Sequence, residues 1–396
     1  MNEKNRVLAA TSIYHAINDG SVSVIPILFP IFKDLFGLTY TQVGVVTGTG
    51  LLVTLGGQLY IGRVSDGKNF STLLSTGILI TSAALLLLTQ SYDFISLLIL
   101  IILLRIGLSF FHPIGVGWIS RTFKTERLDW AMGIQSGFAD IGAFLAIATT
   151  LYIAEQTTWQ LPLFLWAILG ILGLFVAIAF TRKLHHTITT VPNSNQQQNI
   201  RETLAEWHQI LKNIKLLVPA FMLSGAAWGT TLTYLPLLLD ERTSLSLSVI
   251  GILAALWIGV GSIASFFYGS ICERLKRKNV IILAYFTMGF MGLLLTFIVN
   301  VYALILIMML LGLASFLTFP ALFSFVSEVT HESKEGHTFG LMFTLQLGTG
   351  TALLFISGAL ADIIGIWIPF GILGVFSLVV ALLLLTNYRK PFANIR

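Results

Sequence analysis

Five ionisable side chains stand inside long apolar segments of this sequence. His15 and Asp19 lie in YHAINDGSVSVIPILFP, Arg105 and His112 in RIGLSFFHPIG, and Asp140 in GIQSGFADIGAF. A charged side chain in hydrocarbon is costly unless it is paired or faces water, so such residues are usually functional. Carboxylates and imidazoles can carry protons, and a guanidinium can pair with a carboxylate. The residue types therefore predict proton-linked chemistry within a membrane.

Spacing and depth predict that these groups meet. At 1.5 Å per residue, Asp19, Arg105 and Asp140 come out roughly 15–16 Å from the inner face, and the two histidines roughly 10–12 Å. His15 and Asp19 are four residues apart and Arg105 and His112 seven, so each pair shares a helical face. We expect Arg105 to hold Asp19 ionised. Proton uptake by Asp19 would weaken the ion pair and bias which way a cavity opens.

Other assignments remain open for the same residues. Asp140 is an alternative proton carrier, and His15 or His112 could relay protons because imidazole titrates near neutral pH. Asp19 and Arg105 could instead form a structural salt bridge. His112 precedes Pro113 and could simply bond a backbone carbonyl that the proline kink leaves free.

The elements that position these residues are predicted to be membrane-spanning helices. The 396 residues are 56% hydrophobic and 10% charged, against roughly 25% charged in soluble domains. Apolar runs of about 20 residues recur along the chain, and the first is expected to be an uncleaved span. Twelve spans are predicted, at 8–32, 41–62, 70–90, 94–120, 130–153, 160–182, 215–239, 247–271, 279–299, 301–327, 338–361 and 365–387.

The distribution of basic residues predicts the orientation. With the N-terminus inside, 20 of the 23 Lys and Arg residues fall in inner segments and 2, Lys33 and Arg242, in outer loops; the remaining one is Arg105. This bias places both termini in the cytoplasm. It also accounts for the net charge of +5, so no nucleic-acid partner is needed. We expect a multi-pass protein of the cell inner (plasma) membrane.

The sequence repeats its own layout. A shift of 207 residues superposes Gly44 on Gly251, Pro113 on Pro320 and Gly133 on Gly340. This predicts two six-helix bundles, 1–182 and 215–396, joined by a cytoplasmic linker at 183–214. Within the linker, RETLAEWHQILKNI has an apolar face typical of a short helix lying on the inner membrane surface.

Two loop motifs carry a family resemblance. GRVSDGKN (62–69) and GSICERLKRK (269–278) resemble the loop signature of the major facilitator superfamily, a glycine, three residues, an acid and then basic residues. The resemblance implies the twelve-helix fold, with spans one and four lining a central cavity. It also implies a conformational latch, which we assign to Gly62, Asp66, Gly269, Glu273 and Arg274.

A narrower resemblance is carried by the first and fourth spans. HAINDG, LFPIFKDLFGLTYTQVG and RIGLSFFHPIG are similar to the fosmidomycin-resistance branch of that superfamily. This implies export of a drug-like molecule. The fifth span departs from the exporter pattern, because Asp140 stands where exporters often have small residues and proline.

The second half lacks the ionisable groups of the first. The 207-residue shift pairs His15 with Met222, Asp19 with Ala226, Arg105 with Gly312, His112 with Phe319 and Asp140 with Leu347. We expect the first bundle to carry proton coupling and the second to offer a mainly apolar wall. The residues predicted to bind substrate are Asn18, Trp228, Tyr234, Trp257, Phe316, Phe343 and Gln346; ordinary helix packing is the alternative for the aromatic ones.

These observations predict a secondary active transporter and not an enzyme. The chain has no HExxH motif, no glycine-rich phosphate loop and only one cysteine, Cys272. We expect proton-coupled export of a small organic or drug-like molecule. The alternative is a proton symporter importing an organic anion or nutrient, with Arg105 binding a carboxylate or phosphonate. A monomer that needs no cofactor or metal, driven by the proton gradient, suffices for either activity.

Overall fold

A computed structural model describes residues 2–65, 67–123, 125–185, 189–191, 200–329 and 335–387. Nearly all of the described chain is helical. Its elements are α1 Glu3–Ile27, α2 Phe29–Phe36, α3 Tyr40–Val64, α4 Phe70–Leu88, α5 Phe94–Leu108, a π-helical segment His112–Val116, α6 Gly117–Thr122, α7 Thr125–Gln156, α8 Gln160–Thr181, α9 Ile200–Asn213, α10 Val218–Arg242, α11 Leu247–Phe266, α12 Tyr268–Leu275, α13 Arg277–Leu295, α14 Val301–Val329, α15 Glu335–Ile364 and α16 Ile368–Thr386.

Polar residues in the loops determine where several helices begin. The Asn69 side chain accepts a hydrogen bond from the Thr72 amide at the start of α4. Asp93 and Ser96 form a reciprocal capping box at the start of α5. These side chains satisfy amides that the first helical turn leaves without partners.

The predicted fourth span is a helix interrupted near its middle. Regular α-helix ends with α5 at Leu108, and a π-helical segment follows over His112–Val116 before α6 continues the span. Pro113 lacks an amide hydrogen and cannot join a regular hydrogen-bond ladder, which favours such an interruption. Side chains before and after residues 109–111 therefore do not keep regular α-helical spacing.

The described residues contain ten helical stretches long and apolar enough to cross a membrane, with α5 to α6 counted as one. An eleventh is reached if α1 and α2, bent by 46°, form one broken span. The predicted span 215–239 forms as α10, Val218–Arg242, but is not among them. Multiple apolar spans are thus confirmed, while the number twelve and the cytoplasmic termini stay predictions.

The chain divides into two compact units that exchange short segments. Unit 1 comprises 1–38, 49–195 and 245–255, and unit 2 comprises 39–48, 196–244 and 256–396. Unit 1 therefore contains the start of α11, from the second half of the sequence. Unit 2 contains the start of α3, from the first half. The predicted boundaries at 182 and 215 are not tested by this division.

Close helix contacts in unit 1 depend on small residues. A Cβ at Gly142 of α7 would lie 2.1 Å from the carbonyl oxygen of Ala16 in α1, so only glycine allows this approach. Nearby, the Phe70 and Trp118 rings stack with centroids 5.3 Å apart in the apolar core. This packing fixes α1, which carries His15 and Asp19.

A helix, α9 (Ile200–Asn213), covers most of the segment predicted to form the linker helix. Its location on the inner membrane surface stays a prediction. Leu204 on this helix is exposed, as an apolar residue facing lipid headgroups would be.

Candidate functional site

The first candidate site is a buried polar cluster in unit 1. His15 and Asp19 lie one turn apart on α1, and His15 Nε2 is 3.6 Å from an Asp19 carboxylate oxygen. Asn18 donates from its side-chain amide to the other carboxylate oxygen at 2.9 Å. His15 and Asn18 are buried, whereas the Asp19 side chain is 29% exposed. The carboxylate is thus the part of the cluster that a proton can reach from outside the packed interior.

The second half of the cluster comes from the interrupted fourth span. The His15 ring stacks on Phe111 with centroids 4.1 Å apart and meets the edge of His112 at 5.5 Å. His112 opens the π-helical segment, a geometry that is frequent at functional sites. The predicted meeting of the first and fourth spans is therefore confirmed for the two histidines.

The predicted ion pair between Asp19 and Arg105 does not form. Asp19 pairs with His15 and Asn18 instead. Arg105 is buried, and its guanidinium has no hydrogen-bond or ion-pair partner among the described residues. It packs against α3, where a Cβ at Gly50 would lie 2.9 Å from Nε. Equal depth therefore did not bring these two charges together.

Residues on α7 complete the surroundings of His15. Asp140 is half-buried on this helix. Gln135, which the sequence reasoning missed, is almost fully buried and lies beside His15. His15 Nδ1 nevertheless has no hydrogen-bond partner among the described residues. The signal for Gln135 was present, since it is an amide side chain in an otherwise apolar helical segment.

Three residues of the cluster are of types that can bind metal ions. One ligand atom each from His15, Asp19 and His112 lies within 4.8 Å of the others. Ligand atoms around a tetrahedral zinc ion stand only about 3.4 Å apart. The three side chains would therefore have to move closer together to hold such an ion.

An aromatic cluster occupies unit 2. Trp228 lies 5.0 Å from Trp257 and 5.2 Å from Phe316, measured between ring centroids, and Phe319 meets Trp228 edge-on at 6.3 Å. Trp257 is fully buried, and its indole nitrogen has no hydrogen-bond partner among the described residues. Trp228 is only partly buried. The structure thus brings together three of the predicted aromatic residues.

The other predicted substrate residues of unit 2 have contacts of their own. Tyr234 is buried and donates its hydroxyl to the Leu354 carbonyl oxygen at 2.9 Å. Gln346 donates to the Ser224 hydroxyl at 2.9 Å. Phe343 is 46% exposed and contacts Phe323. Tyr234 and Gln346 have packing partners that account for their burial, so a substrate contact is not needed to explain them.

The predicted latch residues are only partly visible. Asp66 lies outside the described residues. Gly62 is near the end of α3, and a Cβ placed on it would lie 3.9 Å from the Pro113 side chain. Gly269 lies on α12, and a Cβ there would meet no atom within 4 Å. Glu273 and Arg274 are exposed on α12 without ion-pair partners among the described residues. Their latch role stays a prediction.

Comparison with known proteins decides the family. The family model described as Major Facilitator Superfamily matches residues 11–354 and 243–395. The chain belongs to the major facilitator superfamily. The resemblance seen in the loop motifs is thereby confirmed, and family and relatives indicate a multi-pass membrane transporter.

The curated relatives are distant members of this superfamily. An uncharacterized transporter of Buchnera aphidicola is 23% identical over 65% of this chain and 62% of its own length. The Fosmidomycin resistance protein of Escherichia coli is 32% identical over 27% of this chain and 26% of its own. The Hexuronate transporter of Escherichia coli is 25% identical over 70% and 69%. The match thus spans less than two thirds of the first two proteins.

Solved structures show the same fold over nearly the whole chain. A POT family transporter in complex with 5-aminolevulinic acid has a TM-score of 0.80 at 13% identity, covering 97% of this chain and 96% of that one. A bacterial homolog of the human lysosomal transporter Spinster has a TM-score of 0.77 at 14% identity, covering 100% and 99%. At these identities the likeness concerns the fold alone.

Proposed function

We propose that this chain is a secondary active transporter of the inner or plasma membrane that exports a small organic or drug-like molecule in exchange for protons. The polar cluster of His15, Asn18, Asp19 and His112 carries this proposal. A carboxylate beside two imidazoles is costly to place in apolar spans, so we expect it to exchange protons or bind substrate. The relative named Fosmidomycin resistance protein supports a drug-like substrate.

In this proposal Asp19 takes up the proton and the histidines pass it on. Protonation of Asp19 removes the negative charge that attracts His15 and Asn18, so the contacts among them weaken. The protonation state of Asp19 then biases the equilibrium between the inward-facing and outward-facing conformations of alternating access. His15 and His112 touch, which gives the proton a short path along imidazoles. Asp140 on α7 is the second candidate carrier.

The test uses purified protein in liposomes that contain a pH-sensitive dye, with an imposed proton gradient and a substrate panel that includes fosmidomycin. Asp19→Asn is compared with wild type. Asp34→Asn is the matched control, because Asp34 is an exposed carboxylate on α2 outside the cluster. We expect Asp19→Asn to slow substrate-driven proton movement at least about a hundred-fold, the scale of a lost proton-transfer group.

The control should move protons as wild type does. Proton movement in Asp19→Asn at the wild-type rate would show that Asp19 is structural, and Asp140 would become the residue to test. The sign of the movement identifies antiport or symport.

Import of an organic anion by proton symport is the second candidate function. Arg105 favours it, because a buried guanidinium without a described partner is suited to a carboxylate or phosphonate of the substrate. The relative named Hexuronate transporter supports this reading, since a hexuronate carries a carboxylate. Cells carrying Asp19→Asn should accumulate less substrate if the protein imports, and more if it exports.

A further inference from the structure

The start of α3 is completed by a carboxylate from the far end of the sequence. Asp362, near the end of α15, accepts hydrogen bonds from the Tyr40 amide at 2.7 Å and the Thr41 amide at 2.8 Å. The Thr41 hydroxyl donates to the same carboxylate at 2.5 Å. All these residues belong to unit 2. A helix start usually finds such a cap within its own sequence, one to three residues away.

The local cap of α3 leaves those two amides unsatisfied. The Thr39 hydroxyl accepts from the Gln42 amide at 3.1 Å, while the Gln42 side chain accepts from the Thr39 amide at 2.9 Å. The Val43 amide makes the first regular hydrogen bond of the helix, to the Thr39 carbonyl oxygen. An α-helix has four amides without internal partners. Here they belong to residues 39–42. Thr39 and Gln42 cap each other, and Asp362 serves the two amides between them, so the cap is complete only with Asp362.

The start of α11 in unit 1 has the same construction. Glu155, near the end of α7, accepts from the Ser248 amide at 3.0 Å and from the Ser248 hydroxyl. The Leu247 amide lies beside the same carboxylate. Locally, the Ser246 hydroxyl accepts a hydrogen bond from the Val249 amide. The Ser246 carbonyl oxygen accepts the first regular helical bond, from the Ile250 amide. A carboxylate from the first half of the sequence thus completes a helix of the second half.

The two caps are related by the internal repeat. The shift of 207 residues that superposes the halves carries Thr41 onto Ser248 and Glu155 onto Asp362. It also carries Thr39 onto Ser246, the two local caps. Both the acceptor and the donor of each cap therefore recur at matching positions, although other polar residues of the first half do not.

We propose that Asp362 and Glu155 are positioning residues of the transport cycle, each fastening the first turn of a helix from the other half of the sequence. The proposal rests on the alternating-access part of the proposed function. If the halves rock against each other, a helix capped by the opposite half loses its cap in one conformation and regains it in the other. Both helix starts lie on the side that the basic residues predict to be outside.

Each carboxylate acts through the helix start it holds, with no need to touch substrate. Removing one cap lowers the stability of the capped conformation alone, because in the uncapped conformation that carboxylate is already released. The second cap, which opens in the same motion, should then open more often although it has not been altered. This coupling separates a positioning role from a local structural one.

The test is hydrogen–deuterium exchange read by mass spectrometry on the full chain in lipid nanodiscs, without substrate. The amides of Thr41 and Ser248 donate to the caps, so their exchange reports cap opening directly. The variants are Asp362→Ala and Glu155→Ala. Asp93→Ala is the matched control, because Asp93 caps its own helix by accepting from the Ser96 amide at 2.8 Å. That hydrogen bond lowers the pKa of Asp93, which keeps the control carboxylate ionised.

We expect Asp362→Ala to speed exchange about five-fold at 40–43. It should also speed exchange at 247–250, where Asp362 makes no contact. Glu155→Ala should likewise speed exchange both at 247–250 and at the distant start, 40–43. The control Asp93→Ala should speed amide exchange only at 94–97, the start of its own helix. The conservative variants Asp362→Glu and Glu155→Asp keep the carboxylate and should return the distant helix start towards the wild-type rate.

Faster exchange confined to the helix start that has lost its carboxylate would overturn the proposal, since the two caps would then act separately. If Asp362→Ala does not fold, Thr41→Val removes one donor, leaves the carboxylate in place and is read in the same way. Because exchange is measured without substrate, loss of proton coupling would not alter this outcome. A failure of the proposed export function is therefore distinguishable from a failure of the caps.

Discussion

The second and fourth spans of the two halves meet through opposite combinations of large and small residues. In unit 1, Gly50 of α3 leaves room for the buried Arg105 side chain of α5. The repeat carries Gly50 onto Trp257 and Arg105 onto Gly312. In unit 2, Gly312 of α14 lets the Trp257 backbone approach, since a Cβ there would lie 2.1 Å from the Trp257 carbonyl oxygen. At this crossing the glycine thus faces an arginine side chain in one half and a tryptophan backbone in the other.

The difference extends to the neighbouring position. His112 contacts His15 in unit 1, and its repeat counterpart Phe319 contacts Trp228 in unit 2. At this contact the first half has two imidazoles, and the second half has two apolar aromatic rings. A shared ancestral layout therefore supports two specialised surfaces, one for charge and one for apolar contact.

The largest expected effect comes from adding a methyl group at the two glycines of this comparison. Gly312→Ala places a Cβ against the Trp257 backbone, which cannot swing aside, so we expect a loss of about 3 kcal/mol in the free energy of unfolding. Gly50→Ala meets only the flexible Arg105 side chain, so the change should stay within about 1 kcal/mol. Thermal unfolding in detergent measures both.

Gly50→Ala also serves as the control for Gly312→Ala, since both changes add one methyl group to a helical glycine. Equal destabilisation by the two variants would mean that the crossings are packed alike, and the contrast between the halves would not hold.

A smaller effect is expected when the residue of one half is moved into the other. His112→Phe installs the residue found at the matching position, 319, and removes an imidazole from the cluster. Aromatic packing against His15 can persist, so the protein should fold, while proton-driven transport falls about ten-fold. The liposome assay measures the rate, and the reverse change Phe319→His is the control. Unchanged transport in His112→Phe would remove His112 from the proton path.

The smallest effect is expected for Trp257→Phe. The Trp257 indole nitrogen has no hydrogen-bond partner among the described residues, so Trp257→Phe removes only part of a packed ring. We expect a loss of about 1 kcal/mol or less, against about 3 kcal/mol or more for Trp257→Ala. Thermal unfolding distinguishes the two. A large loss in Trp257→Phe would point to a hydrogen bond made by the indole, and the aromatic cluster would then be partly polar.

Sequence predicted the helical spans and the meeting of His15 with His112, but placed Arg105 wrongly. The seven-residue spacing from Arg105 to His112 defines one face only in a continuous α-helix. Here the regular α-helix ends at Leu108, between the two residues, and the π-helical segment begins at His112. Depth fixes the level of a side chain along a span and leaves its direction around the axis undetermined. Asp19 therefore pairs with His15, a neighbour whose contact depends only on local helical geometry.

The caps illustrate the other limit of sequence reasoning. The repeat contains both carboxylates and both hydroxyl residues, yet no local pattern connects Asp362 to a helix start 321 residues earlier. Such a pairing depends on tertiary packing. The hydrogen bonds of Tyr234 and Gln346 depend on tertiary packing in the same way, because their partners lie on another helix, and the substrate role of both residues stays a prediction.

The order of synthesis follows from these caps. Glu155 is made 93 residues before Ser248, whereas Tyr40 is made 322 residues before Asp362. At about 5–20 residues per second, α3 waits roughly 16–64 s for its remote carboxylate, and α11 emerges with its own already present. The first half of the chain is thus synthesised with the start of α3 still uncapped. The cap can form only after α15, which carries Asp362, has been made.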